Sequence, residues 1–217
     1  MYNGKKLVLS LIFLSAILIF QSCATVPTNL SISKEEVINY YESGRYDKDL
    51  DKVVNKAIDE FKNIPVADSS AVVFDIDETT LSNYEINKEL DFGYVPELWD
   101  KWIEEAKAPP VAGVKILYDF LKEKGFIIIF LTGRKEYQYN STLKNLVNDG
   151  YKNFDTLIVR KSYENKLTAK EYKSKKREEL TKKGFNIVGD VGDQYSDLDG
   201  PDHGVQVKIP NYMYIIK

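Results

Sequence analysis

Cysteine and histidine are almost absent from this chain. Cys23 is the only cysteine among 217 residues. No internal disulfide forms, so the fold must rest on its core alone. His203 is the only histidine, which excludes any multi-histidine metal site. No G-x-S-x-G sequence occurs, so Ser-His-Asp hydrolysis has no starting point. An excess of positive charge is also missing. The net charge is −3, and it falls to −5 without Lys5 and Lys6. With no basic stripe, that argues against a nucleic-acid polymer as partner. Repeats and low-complexity tracts are lacking too. The apolar run Leu7 to Phe20 has 14 residues. It is short for a membrane span and suits a secretory signal core.

What the chain does have is an alternation of helical and strand patterns. Ser33-Lys34-Glu35-Glu36 reads as a capping box opening a helix that ends at Gly44. A second helix is predicted over Asp47 to Phe61. Strands are expected at Ala71 to Ile76, Phe126 to Leu131, Thr156 to Val159, Phe185 to Val188 and Val205 to Ile209. Helices are expected at Val111 to Lys124, Glu136 to Asn148 and from Thr168 to Lys183. Between the first strand and the next helix, Tyr84 to Pro110 is irregular and aromatic, with a helix near Pro96 to Ala106. This order implies an α/β fold: a Rossmann-like parallel sheet flanked by helices, with N-terminal helices and a small helical insert.

Four segments carry candidate chemistry. Phe74-Asp75-Ile76-Asp77-Glu78-Thr79 drives an apolar strand into two carboxylates at i, i+2. On a strand both lie on one face. Adjacent carboxylates repel, so the pair makes most sense around a cation, and it offers a nucleophile beside an acid/base. Leu131-Thr132-Gly133-Arg134 ends a hydrophobic strand. The Thr132 hydroxyl and free N–H groups of a following helix start can hold a phosphate oxygen. Lys173 sits in the second turn of the helix opened by Thr168, and its side chain points back toward the strand ends. Finally, Gly189-Asp190-Val191-Gly192-Asp193-Gln194-Tyr195-Ser196-Asp197 empties a strand into an acidic loop. Each piece alone has a plain reading as cap, turn or solvated lysine. An EF-hand reading of Asp75-x-Asp77 fails, because its glycine and spaced glutamate are missing and a strand precedes it.

In this order the four segments resemble the haloacid dehalogenase (HAD) superfamily, in the branch holding the bacterial class C lipoprotein acid phosphatases and plant vegetative storage proteins. Phe74 to Asn83, Leu131 to Arg134, Tyr172-Lys173-Ser174 with Arg177 and Leu180, and Gly192 to Leu198 match its four motifs. Thr80 stands where an aliphatic residue is usual, and Asp190 where plant members often carry Asn. The resemblance implies a HAD-like fold and a Mg²⁺-dependent acid phosphatase acting on small phosphomonoesters, with 5′-nucleotides one option. It implies Asp75 as nucleophile and Asp77 as acid/base. It implies a metal held by Asp75, Asp77, Asp193 and Asp197, and phosphate held by Thr132, Gly133 and Lys173. The insert, about 84–110, falls where that superfamily often places a cap. The alternatives are a catalytically weak storage-like binding protein, or a phosphotransferase to an alcohol. The single histidine excludes the histidine acid phosphatases.

The N-terminus adds a location. Ser22-Cys23 at the end of the apolar run resembles a bacterial lipobox. Residues 1–22 are then a lipoprotein signal peptide, Cys23 is lipidated, 23–32 form a tether and 33–217 one domain. An uncleaved membrane anchor, ordinary secretion and a buried cysteine are the rival readings of the same residues. The protein is expected to be exported and membrane-anchored in the bacterial cell envelope.

Overall fold

The computed structural model describes residues 27–201 and 203–216. The apolar run Leu7 to Phe20 and Cys23, with the signal-peptide and lipidation readings that rest on them, lie outside the described residues.

Five strands form one parallel sheet in the order β3-β2-β1-β4-β5. They are β1 (Ser70–Phe74), β2 (Ile127–Lys135), β3 (Thr156–Arg160), β4 (Asn186–Gly192) and β5 (Val205–Lys208). All four pairings are parallel. A parallel sheet is covered on both faces, so its strands are apolar throughout rather than alternating. The central strand β1 is buried at every position. Its side chains split by parity. Val72 and Phe74 join Ile128 and Phe130 of β2 in a large cluster on one face. Ala71 and Val73 join Ile129 and Leu131 on the other.

Helix α2 (Arg45–Lys62) covers the first face with Leu50, Val54, Ala57 and Phe61. It lies beside α5 (Ala112–Lys124), which buries Val114, Leu117, Tyr118 and Leu121. Each such large side chain is worth ~1.5–3 kcal/mol of burial. Helix α7 (Ala169–Lys182) covers the second face. There Tyr172 and Leu180 pack against the smaller cluster. The Thr168 capping box forms as the sequence predicts: Thr168 Oγ1 accepts from Glu171 N and Glu171 Oε2 accepts from Thr168 N.

Three expectations are corrected. The first helix does not start at Ser33. Helix α1 is Leu30–Glu42, capped by the Asn29 side chain accepting from Ser31 N at 2.9 Å. Asn29 rather than Ser33 caps the helix, and the tether loses its last three residues to helix. The 84–110 insert carries the expected helix, α4 (Pro96–Glu105), and an unexpected one before it, α3 (Tyr84–Glu89), the two joined through left-handed Asp91 and Phe92. The helix expected over Glu136 to Asn148 starts its α-helical part three residues later, so no helix N-terminus follows Thr132-Gly133 directly. Strand β2 runs on to Lys135, and a 3-10 turn precedes α6 (Tyr139–Asn148). The sheet order reverses at β1, between β2 and β4, and the carboxyl ends of these strands face one cavity there, as doubly wound sheets require.

Candidate active site

The turn after β1 builds the site floor. Ile76 O accepts from Thr80 N and Leu81 N, both at 2.9 Å. Thr80 is fully buried and its hydroxyl donates to Asp75 O at 2.5 Å. An aliphatic residue could not make that bond, so the departure at Thr80 has a local use. Glu78 takes the left-handed conformation at φ 58°. Its buried carboxylate accepts from Asn83 N at 2.9 Å and from the Tyr214 hydroxyl. Together these bonds turn Asp75 and Asp77 to the same opening.

Strand β4 delivers the second acidic group. Gln194 caps the short helix α8 (Tyr195–Leu198), where Gln194 N donates to Asp197 Oδ2 at 2.9 Å. A carboxylate oxygen from each of Asp75, Asp193 and Asp197 lies within 4.8 Å of the others, and all three residues are buried. Lys173 reaches them from α7, and its Nζ donates to both Asp75 and Asp197. Thus three segments far apart in sequence converge as the sequence predicts. Asp193 is further held by Thr79 Oγ1 at 3.3 Å, Gln194 Nε2 at 2.5 Å and Asn211 Nδ2 at 2.6 Å.

Asp77 has a different environment. A quarter of its side chain is open to the cavity. Arg134 grips it, with Nη2 at 2.8 Å and Nε at 3.0 Å from Oδ1. Asn83 Nδ2 adds a bond at 2.9 Å, and Trp102 Nε1 steadies Asn83 at 2.8 Å. Thr132 is fully buried, with Oγ1 3.5 Å from Asp77 Oδ2 and accepting from Arg134 N at 3.1 Å. Gly133 is exposed and lines the cavity.

Electrostatics separate the carboxyls. Burial pushes Asp75 well above the usual range; the Lys173 ammonium opposes this, while Asp197 and Asp193 add to it. Burial and then Asp197 push Asp193 up to about 6. Burial also acts against a charge on Asp77, but Arg134 and Asn83 outweigh it and hold this carboxyl below the usual range. Burial opposes the Lys173 charge as well, yet Asp197 and Asp75 hold the ammonium above the ordinary lysine range.

The cavity has a volume of about 580 Å³. The insert supplies one wall, with Phe92, Tyr94 and Trp99. Trp102 is buried and belongs to the packing. His203 is exposed and outside the site. Asp190 is buried beneath it, 3.8 Å from Arg177 Nε.

Sequence reasoning missed several supports. Arg134 stood in a quoted motif without a role. Asn83 and Gln194 likewise stood inside matched motifs without a role, while Asn211 and Tyr214 lie outside all four. The C-terminal strap is the largest omission. Asn211 and Tyr214 bond Asp193 and Glu78, and Ile216 N donates to Gln194 Oε1 at 3.1 Å.

The model of the HAD superfamily, subfamily IIIB (acid phosphatase), matches residues 20–217. The chain belongs to this family. Among its relatives, acid phosphatase 1 of Solanum lycopersicum is 36% identical over 186 residues, covering 83% of this chain and 73% of the relative. Vegetative storage protein 1 of Arabidopsis thaliana is 33% identical over 199 residues, covering 88% and 72%. The class C acid phosphatase of Bacillus anthracis shares the fold, with a TM-score of 0.71 at 23% identity over 86% of each chain. A structure of that enzyme with tungstate bound aligns at a TM-score of 0.69 and 24% identity, covering 86% of this chain and 85% of the other. As a subfamily IIIB member the protein is a phosphomonoesterase.

Proposed function

We propose that this protein hydrolyses phosphomonoesters with Mg²⁺, through an aspartyl-phosphate formed on Asp75. The observation that carries the reading is the convergence of Asp75, Asp193, Asp197 and Lys173 on one point of the sheet edge. Three buried carboxylates against one ammonium leave uncompensated negative charge, and an all-oxygen donor set fits a hard divalent cation. Asp75, Asp193, Asp197 and the Asp77 carbonyl would hold it. When bound, Mg²⁺ neutralises charge on the phosphoryl oxygens.

The protein's own groups do the rest. The Asp75 carboxylate attacks phosphorus, and the ester P–O bond breaks as Asp77 protonates the departing oxygen. In the second step Asp77, now a carboxylate, takes a proton from the attacking water. Phosphate leaves and Asp75 is restored. The Gly133 N–H and the Lys173 ammonium hold the remaining oxygens, since phosphoryl transfer is governed by positioning and charge. Thr132, fully buried behind Asp77 and absent from the cavity lining, supports them from below rather than by direct contact, against the sequence expectation. Tungstate in the Bacillus anthracis relative, an oxyanion of similar shape, supports an oxyanion seat in this fold.

Residues 84–110 act as a cap. Phe92, Tyr94 and Trp99 on the cavity wall favour a flat leaving group, a nucleobase among them. A screen of phosphate esters with and without EDTA tests the reading. Turnover should vanish on chelation and return with Mg²⁺; turnover indifferent to chelation would remove the metal from the mechanism. The N-terminal pattern supports export, with lipidation of Cys23 anchoring the protein in the bacterial cell envelope and the residues from about 30 onward forming one catalytic domain. Mass spectrometry of the mature N-terminus checks this, and an unmodified Cys23 rejects it.

A further inference from the structure

The charged groups of the cavity fall into two sets. Arg134 is matched to Asp77, and Lys173 to Asp75 and Asp197. Asp100, on the insert, is held by Gln138 Nε2 at 2.7 Å and the Tyr137 hydroxyl at 2.8 Å. Arg160 has no such match. It ends β3 and lines the cavity. Its hydrogen bonds go to the carbonyls of Leu167 and Thr168, both at the long distance of 3.4 Å. Its Nε is shielded from solvent and makes none. No carboxylate among the described residues forms an ion pair with it. The guanidinium carbon sits over the Tyr172 ring, 4.5 Å from its centroid, a cation–π contact that holds the head group at the cavity wall.

Arg160 also has a neighbour of the same sign. Its register partner on β2 is Lys135, which lines the same wall. Lys135 Nζ bonds the Tyr137 hydroxyl at 3.0 Å and stands 3.9 Å from Asp100. Asp100 offsets Lys135, Arg160 keeps no carboxylate partner among the described residues, and the three together leave positive charge for an anion to match. Strand β3 lies two places from β1 in the sheet, or ~10 Å from the nucleophile's strand at the usual strand spacing. That exceeds the reach of the transferred phosphoryl group and matches the far end of a leaving group.

We infer that Arg160, aided by Lys135, forms a second anion subsite that selects phosphomonoesters whose leaving group carries its own carboxylate or phosphate. Planar guanidinium donors suit either oxyanion. The inference rests on the phosphatase reading above and names its substrate class.

The test compares phenyl phosphate with 4-carboxyphenyl phosphate, and a nucleoside 5′-monophosphate with its 3′,5′-bisphosphate, under saturating Mg²⁺. The readout is the ratio of kcat/KM, charged over uncharged leaving group. The wild type should favour the charged partner of at least one pair by about tenfold or more, chiefly through KM. Arg160→Gln should bring that ratio close to one, Arg160→Lys should keep part of it, and added salt should shrink it in the wild type. A wild-type ratio near one for both pairs overturns the inference, as does a preference that survives Arg160→Gln. Should that variant fail to fold, Lys135→Gln and the wild-type salt dependence still decide: a preference untouched by both rejects the subsite. Absence of turnover on every ester would instead condemn the phosphatase reading, so the two failures are distinct.

Discussion

Asp75 and Asp77 are two residues apart, yet the protein treats them as different acids. Asp75 is crowded by Asp197 and Asp193 and neutralised by Lys173. Asp77 is held ionised by Arg134. On the proposed mechanism an ionised Asp77 is ready to accept water's proton, but the leaving-group step needs its protonated form. With its pKa depressed, that form grows as pH falls. The turnover of alkyl phosphates should therefore rise toward acid pH, while 4-nitrophenyl phosphate, whose leaving group needs little protonation, should show a flatter profile. Arg134→Met removes the main lowering influence, so the acid limb should move to higher pH in the same kcat profiles. Asp77→Asn should cost ~10²–10⁴-fold on alkyl esters, and less on 4-nitrophenyl phosphate. Asp75→Asn should lower turnover by ~10³-fold or more, with thermal unfolding at neutral pH no earlier than the wild type, because it removes one of three crowded charges.

Two elements show where local sequence informs and where it misleads. The capping box at Thr168 fixes the start of α7 from local chemistry alone. The helix then reads as lysine-rich and solvated, yet Lys173, Lys176 and Arg177 are buried. Lys176 pairs with buried Glu164 at 2.6 Å, and Arg177 donates to Asp197 O at 2.6 Å. Periodicity shows that a helix has a polar face; it does not show that acids lie beneath it. The end of β4 is legible in a different way. A Cβ on Gly192 would lie 2.3 Å from the Asp197 Cβ, so only glycine lets α8 close over the strand. Gly192→Ala should displace Asp197 and weaken Mg²⁺ affinity by ~10-fold or more, measured by calorimetric titration, with the far-UV spectrum unchanged.

At the scale of the whole molecule the site is a liability without its ion. Burial holds Asp190 at about 7, though Arg177 opposes it, and burial with Asp197 holds Asp193 at about 6. Both exceed the ordinary carboxyl value of ~4. Groups raised in the folded state favour folding while protonated and withdraw that support as pH rises through their folded values. The metal-free protein should lose melting temperature between about pH 4 and 7.5. Added Mg²⁺ should raise it more at pH 7.5 than at pH 5, because protons compete for Asp193. Melting curves at both pH values with EDTA or Mg²⁺ check this. An Mg²⁺ shift larger at pH 5 would contradict the ligand assignment.

The sequence by itself determined the parallel sheet, the helices that cross over it, and the four segments that bear the chemistry. It could do so because burial on both faces, capping and turn chemistry act over a few residues. Only the tertiary structure decided which groups hold those segments in place. The Arg134 grip on Asp77, the C-terminal strap under Asp193 and the unmatched Arg160 facing the cavity join residues whose separation in the chain carries no periodic signal. The hydrogen-bond and Coulomb terms that govern them depend on distance through space and on the exclusion of water, and both are set only once the sheet has closed around its core.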